Sequence, residues 1–331
     1  KQYGGIVKYH SLLNETHLLI TDPKLVQMIL MSRSYEFQRF DVNKAIIKEF
    51  VGEGIILSEG DSHKRQRKMM SPSFSFANVK EMTPTFVQAG HNLKDIWMKE
   101  IGNKKEKRIT ITAVISNVTL DVIGLVGFNY KFNSTTTESE LSKAYKFVTS
   151  RNHTPLFIVL SNLLPFLRKY PTPDNNKHYE SLKIIYNISE KLLDDQKNNP
   201  VRGTDLLSLL AKANVNLPVD QQLTHYELIS QIMTLLIAGH ETTNLTLSWA
   251  LYFLAANPEI QDRLRNEILD IFPDRDYHPT FDQIEQLKFL ECVLKEVLRI
   301  TPPVPALFRI NVKDEMFNGY LIPKNTPLTI P

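Results

Sequence analysis

A mainly α-helical fold with a small β region is what this sequence predicts, and three observations carry that expectation. Apolar residues recur with helical periodicity from about residue 76 to residue 300. One stretch, from Thr224 to Asn257, is apolar on most faces and is bounded by a start signal and a stop signal. β-type runs are confined to the first 25 residues and to residues 301–331.

At the amino-terminal end, residues 5–10 and 17–21 read as strands separated by a hairpin-like break at Asn14-Glu15. Asp22-Pro23 then opens a helix, with the aspartate as cap and the preset φ of proline in the first turn. Residues 164–173 combine prolines, aromatics and basic groups and predict a loop between two helices. That mixture also suits a membrane surface. Thr224 and Glu227 have the spacing of a capping box. A helix from there to Ala256 would be roughly 48 Å long at 1.5 Å per residue, long enough to cross a whole domain. Being apolar nearly all round, it is expected to be central and buried. Pro258 opens an amphipathic helix to about Phe272, and another lies near residues 287–300. Proline-rich 301–305 and extended runs at 307–312 and 321–323 follow.

The bulk numbers exclude some functions. Lys and Arg exceed Asp and Glu by only three (39 against 36), too little to predict a nucleic-acid partner. A single cysteine, Cys292, rules out an internal disulfide framework and suits a reducing compartment. Uncharged apolar runs such as 109–120 and 228–239 fall short of the ~18–20 residues that a membrane span needs, so these residues are not expected to cross a bilayer. No signal peptide is expected, since Lys1-Gln2-Tyr3 leads directly into structured-looking sequence.

The chemistry concentrates in Ala238-Gly239-His240-Glu241-Thr242-Thr243, inside the long apolar helix. Glycine costs ~1 kcal/mol against alanine in a helix interior, and a threonine hydroxyl competes for the carbonyl four residues back. Gly239 and Thr242 are therefore expected to open or bend one turn at Ala238. A zinc-protease reading of His240-Glu241 fails, because position 244 is asparagine where a second histidine is required. Glu296 and Arg299 lie three apart on one helix face, an arrangement that ordinarily contributes ~0.3–0.5 kcal/mol. The basic run 63–68 reads as a solvated helix face. It also offers His63 and Arg67, four apart, as cations for paired carboxylates or phosphates.

Together these residues resemble the cytochrome P450 family of haem-thiolate monooxygenases, over nearly the whole chain. The segment 238–243 is similar to the family's oxygen-binding signature, and Glu296 and Arg299 match its E-x-x-R pair, with Thr301-Pro302-Pro303 following. Arg309 stands where a propionate-binding arginine is found. His63 and Arg67 match a W-x-x-x-R pattern, with histidine replacing tryptophan. The resemblance implies one domain over residues 1–331, a truncated P450 fold incomplete at both ends. Haem b would be the cofactor, contacted by His63, Arg67, Ala238, Gly239, Thr242 and Arg309, with O2 as co-substrate. Glu241 and Thr242 would be catalytic, passing protons inward, with Gly239 and the loosened turn making room for dioxygen. Glu296 and Arg299 would be structural. The family's haem-ligating cysteine is expected beyond Pro331, leaving no metal ligand here, and its amino-terminal anchor is missing as well. Cys292, on the helix of Glu296, is expected to be structural and buried.

The implied activity is insertion of one oxygen atom into a small lipophilic substrate, held near residues 40–51, 232–237 and 304–308. Electrons would come from NADPH through a separate flavoprotein reductase, attracted by the basic face around residues 63–68. The complete protein would sit at the cytoplasmic face of the endoplasmic reticulum membrane, while the chain as given would be inactive. Two alternatives stand beside this reading. One is a hydroperoxide-rearranging relative of the same fold, which the Glu241-Thr242 pair argues against. The other is a truncated, haem-free helical protein without catalysis.

Overall fold

The computed structural model describes residues 4–11, 14–39, 44–136, 139–150, 160, 164, 166–198 and 205–331. The chain forms two compact units. The first comprises residues 1–46, 58–64 and 304–331, and the second residues 47–57 and 65–303.

The first unit holds the β structure: β1 (Ile6–His10), β2 (Thr16–Ile20), β3 (Phe37–Arg39), β4 (Leu307–Asn311), β5 (Glu315–Phe317), β6 (Tyr320–Ile322) and β7 (Pro327–Ile330). Five strands pair in the order β1-β2-β7-β4-β3, and only β2 and β7 run parallel. The hairpin read around Asn14 is the β1–β2 pair. Strands β5 and β6 pair separately across Asn318-Gly319, both with positive φ (50° and 86°), as a two-residue type I′ hairpin turn requires. Asp22 caps α1 (Pro23–Gln27), its Oδ1 accepting from the amides of Lys24 and Leu25 at 2.8 and 3.2 Å. Leu18, Ile20, Ile29, Phe37, Phe317 and Leu328 form the core of this unit. Beside it the Arg33 guanidinium reaches Glu36 (2.6 Å) and the buried Glu315 (2.6 and 2.9 Å). Arg33, and then Lys313, hold the Glu36 carboxyl down to about 2.

Helices α2 (Lys44–Val51) and α3 (Gly60–Met70) carry the boundaries between the units. The second unit then contains α4 (Phe76–Glu81), α5 (Thr83–Ile101), α6 (Ile111–Phe128), α7 (Glu140–Ser150), α8 (Phe166–Lys169), α9 (Pro173–Asn198), α10 (Leu206–Val215), α11 (His225–Ala256), α12 (Pro258–Ile271), α13 (Phe281–Ile284) and α14 (Lys288–Ile300). The short α8 lies inside the predicted loop 164–173, of which residue 165 is outside the described residues. Leu164, Phe166 and Tyr170 there are exposed.

Helix α11 is the predicted long helix. Thr224 Oγ1 accepts from the Glu227 amide (3.2 Å), and the Glu227 carboxylate accepts from the Thr224 amide (2.8 Å), which completes the capping box. Its amino-terminal half is central: residues 228–236 are all buried, packed with α6, α7 and α9 around Leu120, Tyr145, Ile185 and Leu193. The expectation of a helix buried along its whole length is corrected in the other half. There Leu245, Leu247, Trp249 and Tyr252 are exposed, because no described segment covers that face.

Helix α6 is a second difference. Asp121 interrupts the apolar run in the sequence, yet one helix of 18 residues passes through it with mean hydropathy 1.8, enough by length and composition to cross a membrane. It packs against α11 and α5, and eight of its residues are buried in the protein. Asp121 turns toward the following loop, accepting from the amides of Ser134 (2.7 Å) and Thr135 (3.1 Å). Core packing accounts for its apolar character.

Residues 51–55 are fastened to α11 by buried polar groups that the sequence did not announce. The Glu53 amide donates to Ser230 Oγ (3.1 Å), and the Ile55 amide to Gln231 Oε1 (3.1 Å). Gln231 Nε2 donates to Gln66 (2.6 Å), and Gln66 donates to the Glu53 carbonyl (3.3 Å). Two glycines permit the approach. A Cβ at Gly54 would lie 2.7 Å from the Ser230 carbonyl oxygen, and Gly52 has φ +62°. Buried polar groups that are all partnered in this way hold a segment in one position.

Candidate haem site

Residues 238–243, which resemble the family's oxygen-binding signature, occupy one uninterrupted stretch of α11. Thr242 Oγ1 donates to the Ala238 carbonyl at 2.5 Å, the bond anticipated from the i–4 spacing. Thr243 and Thr246 make the same bond to Gly239 (2.8 Å) and Thr242 (2.9 Å). Helical hydrogen bonding continues through the turn, so the expected opening at Ala238 does not occur. The hydroxyls share carbonyls that remain inside the ladder. The structure also gives Gly239 a different reason. A Cβ there would fall 2.7 Å from Ile123 Cδ1, so the glycine lets α6 and α11 approach, and its missing side chain opens no ligand space in that direction.

The two residues between Gly239 and Thr242 are an acid and a base in unusual settings. His240 is 1% exposed, with Nδ1 3.3 Å from the Leu236 carbonyl and its ring 5.4 Å from that of Tyr145. Burial pulls its imidazole down to about 4, against a weaker upward effect of that carbonyl. Glu241 is half-buried, and its carboxyl is raised by burial, opposed by a hydrogen bond from Asn244. A carboxyl whose hold on its proton is strengthened by burial, beside an alcohol on the same turn, has the makings of a proton donor.

Glu296 and Arg299 on α14 form a bidentate pair at 2.7 and 2.8 Å, both exposed. The pairing lowers the carboxyl and raises the guanidinium. Cys292 is exposed too, which corrects the expectation of a buried structural cysteine. It stands on the outer face of α14, the helix whose one buried residue is Val297. Of the expected substrate-contacting stretches, residues 232–236 are buried, Val304, Leu307 and Phe308 are exposed, and residues 40–43 lie outside the described residues.

In the first unit Arg309 is half-buried on β4, donating to the Phe308 carbonyl at 2.9 Å. Among the described residues no carboxylate forms an ion pair with it. Burial, and then the like charge of Arg39, lower its guanidinium, with Glu59 opposing. Arg39 on β3 is its directly opposed partner in the antiparallel register. Like charges set opposite one another across a strand pair are destabilising, so this pair suits an anionic ligand. The sequence reasoning missed Arg39; its signal was a lone arginine on a short strand, legible only through the register. His63 Nδ1 lies 3.1 Å from the Tyr35 hydroxyl, and Lys64 Nζ stands 4.7 Å above the Tyr35 ring. In the second unit the Arg67 side chain is exposed.

These residues fit haem in kind. Arg309 opposite Arg39 supplies positive charge for carboxylates such as propionates. Thr242 and Glu241 supply a hydroxyl and a half-buried carboxyl on one helical turn.

Comparison with known proteins defines the class. The family model described as Cytochrome P450 matches residues 1–331. The chain is 33% identical to "Cytochrome P450 monooxygenase 205" of Postia placenta, over 98% of the chain and 62% of that relative. It is 31% identical to "Cytochrome P450 monooxygenase claP" of Ampulloclitocybe clavipes, over 99% of the chain and 62% of that relative. With "Cytochrome P450 monooxygenase FUM15" of Gibberella moniliformis the identity is 29%, over 98% and 58%. The chain belongs to the cytochrome P450 family, and it spans about 62% of the length of the first two of these relatives.

Proposed function

We propose that the complete protein is a haem-dependent monooxygenase acting on a small lipophilic organic substrate. The observation that carries this reading is the turn of α11 on which Thr242 is hydrogen-bonded to the Ala238 carbonyl beside the half-buried Glu241. Bound haem b, with O2 as co-substrate and electrons from NADPH through a flavoprotein reductase, supplies the oxidising chemistry. The residues of the chain do the rest. Arg309 and His63 of the first unit would hold the propionates. Thr242 Oγ1, anchored through its own proton, presents its oxygen lone pairs as the acceptor at the end of a proton path. Glu241, half-buried beside it, would bring protons into the site from solvent.

The names of the relatives support monooxygenase chemistry and leave the substrate open. A membrane-surface location on the endoplasmic reticulum is proposed from the exposed Leu164, Phe166 and Tyr170. Thr242→Ala tests the reading in the complete protein. Electron consumption should persist while the fraction recovered as oxygenated product falls and peroxide rises, by roughly the 10²-fold at which general acid–base effects begin. Unchanged coupling would remove Thr242 from the path.

A further inference from the structure

Among the buried titratable side chains that the mechanism above leaves unused, His240 touches the acid beside Thr242. We propose that His240 is a positioning residue for Glu241. Its imidazole, fixed by the Leu236 carbonyl as the Nδ1–H tautomer, presents the Nε2 lone pair to the Glu241 carboxyl and keeps that carboxyl in its protonated, proton-donating form. This inference rests on the reading of Glu241 as proton donor.

The geometry is specific. His240 Nδ1 lies 3.3 Å from the Leu236 carbonyl oxygen, which can only accept, so the proton of a neutral imidazole belongs on Nδ1. Nε2 is then a bare acceptor, and it lies 3.4 Å from Glu241 Oε2. A carboxylate there would set lone pair against lone pair in a place where the histidine is 1% exposed. A proton between them removes the conflict, and a small rotation of Glu241 shortens the contact to a hydrogen bond. The proton rests on one of two atoms. On His240 it would create an imidazolium in an apolar pocket bounded by the Tyr145 ring, which burial disfavours. On Glu241 it leaves both groups neutral.

Among the described residues no other charge enters the balance. Burial and the Leu236 carbonyl act on His240, and burial and Asn244 act on Glu241. Tyr145, the titratable group facing the ring from α7, directs its hydroxyl at the Met233 carbonyl (3.4 Å), and α6 presents the apolar Ile123 to this turn at Gly239.

Two measurements on the complete protein decide the matter without turnover. Nitrogen NMR of ¹⁵N-histidine-labelled protein, with His240 assigned by its loss in His240→Gln, should show a protonated Nδ1 and a bare Nε2 at neutral pH. A protonated Nε2, alone or in an imidazolium, overturns the proposal. Infrared difference spectra against Glu241→Gln should show a protonated-carboxyl stretch whose titration midpoint falls by about one pH unit in His240→Gln, where an amide N–H replaces the lone pair. An unmoved midpoint overturns it as well. If His240→Gln does not fold, Glu241→Gln still identifies the carboxyl band. The tautomer is then assigned from the ring shifts that Glu241→Gln moves, so the first arm still decides. A chain with the expected tautomer whose complete form oxygenates nothing would sink the monooxygenase reading and leave this pair standing. Coupled oxygenation with a protonated Nε2 would do the reverse.

Discussion

The two halves of α11 carry similar side chains and live in different surroundings. In the amino-terminal half, residues 228–236 are buried without interruption, and even Ser230, Gln231 and Thr234 are at most 2% exposed. In the carboxy-terminal half, Leu247 is 37% exposed, Trp249 41% and Tyr252 58%. A helix that is apolar all round is normally buried all round. The contrast teaches that apolar composition announces a need for partners, while burial depends on which partners are packed there. The signature turn 238–243 lies at the junction, where His240 is buried and Glu241 and Thr242 are half-buried. The proposed proton donor needs such a border, since full burial would cut it off from solvent and full exposure would favour loss of its proton.

The largest test of the contrast is Leu236→Ala. That side chain is fully buried, and its loss should cost about 2–5 kcal/mol, read from denaturant unfolding of the chain. A cost below about 1 kcal/mol would mean that the amino-terminal half is loosely packed. Gly54→Ala comes next. Its Cβ would meet backbone at 2.7 Å, and overpacking of this kind should cost about 1–3 kcal/mol. Amide exchange at Glu53 and Ile55 should rise in step, because both donate into the ladder on α11.

A smaller effect follows from His240. Its folded value of about 4 lies below the ordinary histidine value of 6.5. Between those values the unfolded chain binds a proton that the folded chain refuses, so stability falls as pH falls through this window, by up to about 1.4 kcal/mol per pH unit. Glu241 acts in the opposite sense. Its carboxyl is raised on folding, so the folded state takes up a proton first and gains stability as pH falls toward the ordinary glutamate value. His240→Phe should therefore flatten the acid limb of stability against pH, and an unchanged limb would place its titration elsewhere. Trp249→Ala should do least. Its ring stacks on Phe253 at 5.7 Å but remains exposed, and a cost within about 0.5 kcal/mol is expected of surface sites. A cost near that of Leu236→Ala would show that the two halves are equally covered.

Legibility followed the range of the interaction. The Thr224–Glu227 box, the Asp22 cap and the Thr242 bond to Ala238 were all readable, because each joins residues within four positions and is set by helix geometry. The Asn318-Gly319 turn was equally local and its signal was present, though only the strand after it was anticipated. Gly239 was noticed for the right position and given the wrong reason, since the Ile123 side chain that excludes a Cβ lies on another helix. Cys292 went the same way: its apolar neighbours suggested burial, and the structure leaves that side of α14 open. Arg39 was invisible until strand register set it opposite Arg309.

The sequence by itself determined the helices, their caps, the order of the family motifs and the acid–alcohol turn at Glu241-Thr242. These depend on backbone geometry that repeats every few residues. The tertiary structure alone decided which half of α11 is core, why residue 239 is glycine, how residues 51–55 are held and which two arginines oppose each other. Those outcomes depend on close approach between segments far apart in the chain. Periodicity carries no information about that distance, and packing at van der Waals contact tolerates errors of only a few tenths of an ångström.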